Sequence, residues 1–393
     1  MNADPIYLDG YATMPMDPQV QLAILAAFSH TGNAGSIHAA GNKAASAIFD
    51  ARAAVGELIG AQPSEIVFTS GATEANNLAI SGVAHWAKST RNLRRRIVVS
   101  AIEHKAVLEA ARETIRHGFE MAVIPVRRSG MVDLDALADL IDHRTLLVSV
   151  MAANNETGVI QPIAEASAIA RRAGALFHCD AAQAVGKIPL NVLDLDIDYL
   201  SLSGHKFYGP MGIGALFISS LAPKPSPIHF GGGQQDGIRP GTEPVALIVG
   251  LGTAATVAAR EMARDADHCA RMADRLRSRL SERQVSFINT TKEAMTLPGS
   301  LSLMLTGAEG DDLVMHVGQN LCISTGSACS SGQVMPSHVL SAMGLDADDA
   351  RSVIRIFCGR FNSEDEIKRA ADLIADAFLH LRSRTGRLRQ SGL

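Results

Sequence analysis

The chain has 393 residues, 36 Lys and Arg against 40 Asp and Glu for a net charge of −4, and is 47% hydrophobic, 19% charged and 4% aromatic. That composition builds a core and excludes intrinsic disorder for the bulk of the chain. The acidic balance argues against non-specific nucleic-acid binding, and the few aromatics argue against base-stacking platforms.

The N-terminus, MNADPIYLD, lacks a basic region followed by an apolar run, so no secretory signal is expected. From about residue 66, short β-branched runs alternate with amphipathic helical patterns. The runs are IVFTS (66–70), RIVVS (96–100), MAVIPV (121–126), LLVSVM (146–151), LFHCD (176–180), DYLSLS (198–203) and GALFIS (214–219). Between them Val107, Leu108, Ala111 and Ile115 share one helix face, as do Leu134, Leu137, Ala138 and Ile141. Seven apolar strands separated by helices predict an α/β fold with a mostly parallel seven-stranded sheet covered on both faces.

The longest weakly polar stretch, Val245 to Ala259, contains Gly250, Gly252, Thr253 and Thr256. It falls short of the roughly 20 apolar residues of a membrane span, so none is expected. Its G-x-G-x-x-A, Gly250 to Ala255, would suit a dinucleotide only with an acid ending the next strand, and QVSFIN ends in Asn289. The glycines are expected to allow close helix packing instead.

Past about residue 260 a charged helix (254–283) leads into strand-like QVSFIN, LPGSLSLML, LCIST and SVIRIFC. A last helix opens with a capping box, Ser363 with Glu366, and buries Ile367, Ala371, Ile374, Phe378 and Leu381. This divides the chain into a large α/β domain, residues 15–255, and a smaller α+β domain made of residues 1–14 and 256–393. The tail RSRTGRLRQSGL has no periodicity and is expected to fray.

Ligands of open α/β sheets collect at the carboxyl ends of the strands. After the first strand, Ser70-Gly71-Ala72-Thr73 opens a helix whose N-terminus suits an anion, though a plain helix cap explains it as well. After the second comes Glu103-His104-Lys105, where the histidine is a functional candidate or a cap. After the fourth comes Asn154-Asn155-Glu156, a polar turn or a site, and after the fifth Asp180 with Gln183. The most specific segment follows the sixth, SLSGHKFYGPMGIG, which sets Ser203, His205 and Lys206 among glycines. A lysine so placed suits a Schiff base with an aldehyde cofactor. Together these positions supply what pyridoxal phosphate needs: Lys206 for the aldehyde, Asp180 for the pyridine nitrogen, Thr73, Ser203 and His205 for the phosphate, and His104 over the ring. Gly186-Lys187 is followed by Ile188 and makes no P-loop, and no Cys/His spacing suggests zinc or another metal.

Five cysteines, an odd number in a chain this long, do not look like a disulfide framework, so a reduced, cytoplasmic protein is expected. Cys179, Cys322 and Cys358 fall in strand-like runs and are expected in the core. Cys329 lies among Ser and Gly in ISTGSACSSGQ, a candidate nucleophile on a loop. In SVIRIFC, Arg355 suits bidentate carboxylate recognition or a structural ion pair.

These residues resemble the pyridoxal-phosphate-dependent cysteine desulfurases of the class V aminotransferase superfamily. The likeness runs from YLDGYATMPMDP to FCGRFNSEDEI through TSGATEANNLAI, EHKAV, NNETGVIQPI, HCDAAQAVGKIPL, SGHKFYGPMGIG, GGGQQDGIRPGT and STGSACSSG. It implies a fold-type I homodimer with active sites at the subunit interface. It makes Lys206 the Schiff-base lysine, Cys329 the persulfide-forming cysteine, Asp180 the pyridinium partner and Gln183 the donor to the cofactor phenolate. His104 becomes the stacking and acid–base histidine. Ala72, Thr73, Ser203 and His205 become the phosphate site, with Thr242 donated by the other subunit. Asn155 becomes a cofactor and substrate contact, Arg355 the substrate-carboxylate arginine, and Asn33 a further substrate contact.

The loop between Ser324 and Leu340 has the length of the long-loop group, whose cysteine carries sulfur to an acceptor protein. Met14 stands where a second Thr is common and Cys179 where an aliphatic residue is usual. The Arg-rich end is shorter than the tail by which housekeeping members dock their iron–sulfur scaffold. The resemblance implies conversion of L-cysteine to L-alanine, with sulfur passing through Cys329 to acceptors for iron–sulfur clusters or other sulfur-containing products. The alternatives are a selenocysteine lyase, a class V aminotransferase, or a non-enzymatic cofactor-binding scaffold.

Overall fold

The computed structural model describes residues 4–326 and 337–390. Cys329 lies outside the described residues. All seven runs form strands of one sheet: β2 (Ile66–Thr69), β3 (Arg96–Ser100), β4 (Glu120–Ile124), β5 (Thr145–Ser149), β6 (Leu176–Asp180), β7 (Tyr199–Ser203) and β8 (Gly214–Ile218), after a short β1 (Ile6–Tyr7). Their order is β2-β8-β7-β6-β5-β3-β4, and β8 alone runs against the others. The sheet is therefore mostly parallel, as the strand–helix alternation predicts.

Alternation along each strand feeds two cores. Val98, Val148, Phe177, Leu200, Leu202 and Phe217 point to one face. Ile97, Val99, Leu147, Tyr199, Leu216 and Ile218 point to the other. Helices α3 (Ala72–Ser89) and α4 (Lys105–Glu113) cover the second face through Leu78, Val83, Val107 and Ala111. Helices α2 (Ala39–Ile59), α6 (Ile163–Arg172) and α7 (Val245–Glu282) cover the first, with α1 (Pro18–Phe28) and α5 (Leu134–Leu140) at its margins. β4, at the edge, buries only Ile124, so the MAVIPV run is less enclosed than its apolarity suggests.

A second unit follows α7. Strands β9 (Phe287–Asn289), β10 (Ser300–Leu305), β12 (Ser324–Thr325) and β13 (Val353–Phe357) form an antiparallel sheet ordered β12-β13-β10-β9, and β11 (Leu321–Cys322) pairs with β1. Helices α8 (Gly310–Val317), α9 (His338–Ala342), α10 (Ala347–Arg351) and α11 (Glu364–Gln390) complete it. Its core joins Ile6 and Leu8 to Leu276, Leu303, Leu313, Ile354, Ile374 and Phe378. The capping box at α11 forms: Ser363 N–H donates to Glu366 Oε2 at 2.8 Å and Glu366 N–H to Ser363 Oγ at 3.3 Å.

Three expectations are corrected. The tail does not fray at once: α11 runs to Gln390, because Arg, Leu and Gln are good helix formers that outweigh one glycine. Cys322 is only partly buried, since its short strand β11 pairs on one side only, with β1. The apolar stretch from Val245 opens a helix of 38 residues, long and apolar enough by length and composition to cross a membrane. Half of its most apolar window is buried in the protein, so it is a core helix.

Candidate active site

The carboxyl ends of β2, β3, β5, β6 and β7 converge on a cavity of about 530 Å³, closed on one side by Arg355 from β13. Ala72, Thr73, His104, Asn155, Asp180, Gln183, Ser203, His205, Lys206 and Arg355 all line it.

Lys206 follows β7 in a single tight turn, Gly204–Lys206, that aims its side chain back over the sheet edge. A Cβ at Gly204 would meet Pro210 O at 2.9 Å, so a glycine is required for that turn. Nζ donates to the carbonyls of Tyr11 at 2.5 Å and Ala12 at 2.9 Å. Burial, then repulsion from Arg355, lowers its pKa from 10.5 to about 8. A buried amine of this kind keeps a reactive neutral fraction near neutrality.

Asp180 ends β6, buried at 4% exposure, and its oxygens accept from Asn76 Nδ2 at 2.7 Å and Ala182 N at 3.0 Å. Asn76 stands one turn into α3, a polar residue on an otherwise apolar buried face. Glu103, fully buried nearby, accepts from Met151 N at 2.7 Å. Burial, then the charge of Asp180, pushes its carboxyl well above the usual carboxylate range.

No side chain caps the N-terminus of α3, whose first turn, with Ala72 and Thr73, opens on the cavity beside Ser203 and His205. Gly71 enters it at φ 151°, a backbone region that favours glycine, with Ser203 Oγ 3.5 Å from where a Cβ would sit. Burial, then the charges of Lys206 and Lys187, lowers the His205 pKa to about 4, so its ring is neutral.

His104 serves as a cap and lines the cavity as well. Its Nδ1 accepts from Ala106 N at 3.1 Å at the start of α4, which places the neutral ring's hydrogen on Nε2. Burial lowers its pKa, and the charge of Asp180 only partly offsets this. Asn154 is the polar turn: its side chain accepts from Glu156 N and Thr157 N, both at 2.9 Å, and leaves Asn155 on the cavity wall. Arg355 donates to Asn155 O and to Asp9 Oδ1, both at 3.1 Å, and Ser324 Oγ donates to Asp9 Oδ2 at 2.7 Å.

Asn33 and Thr242 are exposed and lie outside the cavity in the single chain. Asn33 Oδ1 accepts from Gly35 N at 2.9 Å. Sequence reasoning passed over Tyr11, Asp9, Asn76 and Glu103. Of these only Asn76 carries a periodic signal, an amide on the apolar stripe of α3.

The cavity thus offers an amine, a carboxylate, an amide donor, a guanidinium and a helix N-terminus. That set complements an aromatic aldehyde with a ring nitrogen and an anionic arm, together with a small carboxylic acid.

Comparison with known proteins agrees. The aminotransferase class-V family model matches residues 6–370, and the chain belongs to that family. Within it the chain groups with the cysteine desulfurases. It is 43% identical to the curated cysteine desulfurase IscS of Rickettsia bellii (strain OSU 85-389), over 96% of this chain and 92% of that one. A solved NifS-like protein shares 35% identity with a TM-score of 0.88, over 96% of this chain and 100% of that one. A structure of SspA in complex with cysteine shares 33% identity with a TM-score of 0.79, over 91% and 99%.

Proposed function

We propose that the cavity holds pyridoxal phosphate and that the protein removes sulfur from L-cysteine, leaving L-alanine. The observation that carries this reading is the placement of Lys206 and Asp180 on one cavity wall system with Arg355 at its side. Lys206 would hold the aldehyde, Asp180 the ring nitrogen, and Gln183 the phenolate oxygen. The first turn of α3 would hold the phosphate with Thr73, Ser203 and His205. When bound, the cofactor supplies an electron sink for charge developing at the substrate Cα.

The residues of the chain do the rest. Arg355, steadied by Asp9 and the Asn155 carbonyl, grips the substrate carboxylate. Lys206, with a pKa of about 8, takes the Cα proton once its amine is free. His104 would cover the ring face, and its Nδ1 accepts the substrate thiol proton only once it gives up the Ala106 N–H. The Cys329 thiolate attacks the substrate sulfur. The C–S bond breaks, sulfur stays on Cys329 as a persulfide, and the carbon fragment takes up protons and leaves as L-alanine. Ser324, five residues before Cys329, pairs opposite Arg355, so the segment that carries the cysteine starts at the cavity wall.

The persulfide then passes to an acceptor thiol, including those that build iron–sulfur clusters, a reading supported by relatives named IscS. The SspA structure, solved with cysteine, supports the substrate. The core of the seven-stranded sheet and that of the second unit support a large domain of residues 15–255 and a small one of 1–14 and 256–393, with α7 running through both. Four free cysteines among the described residues fit a reduced, cytoplasmic setting. A homodimer fits the exposed apolar face of α1.

Cys329→Ser tests the assignment. Its hydroxyl, far less acidic than a thiol, lacks the soft nucleophile that attack on sulfur needs. Cofactor binding and the spectral response to L-cysteine should persist while alanine release and the persulfide are lost. Alanine at the wild-type rate would make the protein a lyase or an aminotransferase relative.

A further inference from the structure

Gly186-Lys187, which as sequence makes no phosphate loop, lies behind the active site. After β6 the chain coils through one turn, with Val185 N–H bonded to Ala181 O at 3.0 Å and Ile188 N–H to Ala184 O at 3.1 Å. Gln183 and Lys187 thereby fall one turn apart on one face. Gly186 has φ +75°, and a Cβ there would stand 2.7 Å from Phe207 Cβ, the residue after Lys206. Only glycine brings the chain that close and turns Lys187 inward.

Lys187 is 8% exposed and has no ion-pair partner among the described residues. Its Nζ lies 4.9 Å from the centre of the Phe357 ring and 6.0 Å from that of Tyr11. The hydrogen bond it makes is to Gln183 Oε1, at 2.9 Å. At the other end of the same amide, Gln183 Nε2 donates to Tyr11 O at 3.0 Å, and that carbonyl also accepts from Lys206 Nζ. Lys187, Gln183, Tyr11 O and Lys206 form one chain of hydrogen bonds that runs from behind the cavity to its wall.

The direction of that chain is forced. A carbonyl only accepts, so the end of Gln183 facing Tyr11 must be the NH₂ group. The opposite end is then the oxygen, which needs a buried donor, and Lys187 is that donor. Burial, and next the charge of Lys206, lowers the Lys187 pKa from 10.5 to about 7, and both protonation states still donate. A buried lysine without a carboxylate is costly, and a core of this composition would accommodate Met more easily.

We infer that Lys187 is a positioning residue for the cofactor site: it fixes the Gln183 amide with its NH₂ group on the cavity side, where the cofactor phenolate would lie. The inference rests on the cofactor reading above.

The test uses the full chain loaded with pyridoxal phosphate and two readouts, the visible band of the bound cofactor and its dissociation constant. Gln183→Ala should move the band. Lys187→Met should move it the same way by at least half as much and weaken cofactor binding about 5-fold, the worth of one net hydrogen bond. In the double variant neither readout should change beyond Gln183→Ala alone, because the lysine acts through the amide. Lys187→Gln, which keeps a donor without the charge, should restore the wild-type band.

An unmoved band in Lys187→Met or in Gln183→Ala overturns the inference, as do additive losses in the double variant. Should Lys187→Met not fold, Lys187→Gln decides: a wild-type band supports the donor role, and a band shifted as far as that of Gln183→Ala overturns it. A wild-type chain that takes up no pyridoxal phosphate overturns the cofactor reading and the inference together. Normal uptake with unmoved bands overturns the inference alone.

Discussion

Lys206 and Glu103 show how the same enclosure acts oppositely on a base and an acid. Burial disfavours either charge, so the amine is lowered to about 8 and the carboxyl is raised. For the amine the sign is direct, because only its neutral form attacks an aldehyde. Labelling of the cofactor-free protein at Lys206 by pyridoxal phosphate should climb about tenfold per pH unit below pH 8 and level off above it. An ordinary lysine would keep climbing toward ~10.4. Borohydride trapping followed by peptide mapping gives the rate at each pH. A profile that still climbs at pH 10, or trapping on another lysine instead, would remove Lys206 from the site. Residues that line the cavity were legible because each follows an apolar run at a strand's carboxyl end, as Asp180, His104 and Lys206 do. Those that act from behind, Asp9 on Arg355 and Asn76 on Asp180, come from distant segments, and no spacing links them before the chain folds.

At the level of elements, the G-x-G-x-x-A of α7 is a packing device. A Cβ at Gly252 would lie 2.5 Å from Ala51 Cα on α2, and one at Gly250 would lie 2.7 Å from Ile24 Cδ1 on α1. The first obstacle is backbone, which cannot swing aside. Gly252→Ala should therefore cost about 1–3 kcal/mol as the helices are pushed apart, read as a lower urea midpoint at unchanged slope. Gly233→Ala, with nothing within 4 Å of the added methyl, serves as the control and should be neutral. Equal midpoints for the two variants would show that α2 and α7 are not held in close contact. The strands were legible because near-continuous apolar runs, buried on both faces, are bounded by turn residues. The start of α7 was not: VALIV reads equally as a strand, and only its packing on α1 and α2 selects the helix.

At the scale of the whole molecule, the described residues leave an apolar face of α1 uncovered. Leu22, Leu25 and Phe28 of α1 are 66–69% exposed. Beside them an apolar groove of about 320 Å³ runs between Ala23, Ala27, Ala44, Val245 and Val249. Exposed apolar area of that kind marks an interaction surface, which supports the homodimer proposed above. Thr242 stands three residues before Val245, and Asn33 lies between α1 and α2. The two candidate residues that miss their own cavity thus flank the face on which a partner would sit. Leu25 and Phe28 point away from the core, so replacing both by Glu should leave the monomer folded. The Leu25→Glu/Phe28→Glu protein should sediment as a monomer with an unchanged far-ultraviolet spectrum. It should also bind pyridoxal phosphate about 5-fold more weakly, because one phosphate hydrogen bond is lost with Thr242. A variant that stays dimeric would move the interface elsewhere. A clean monomer with full cofactor affinity would leave Thr242 outside the phosphate site and make each subunit's cavity sufficient by itself.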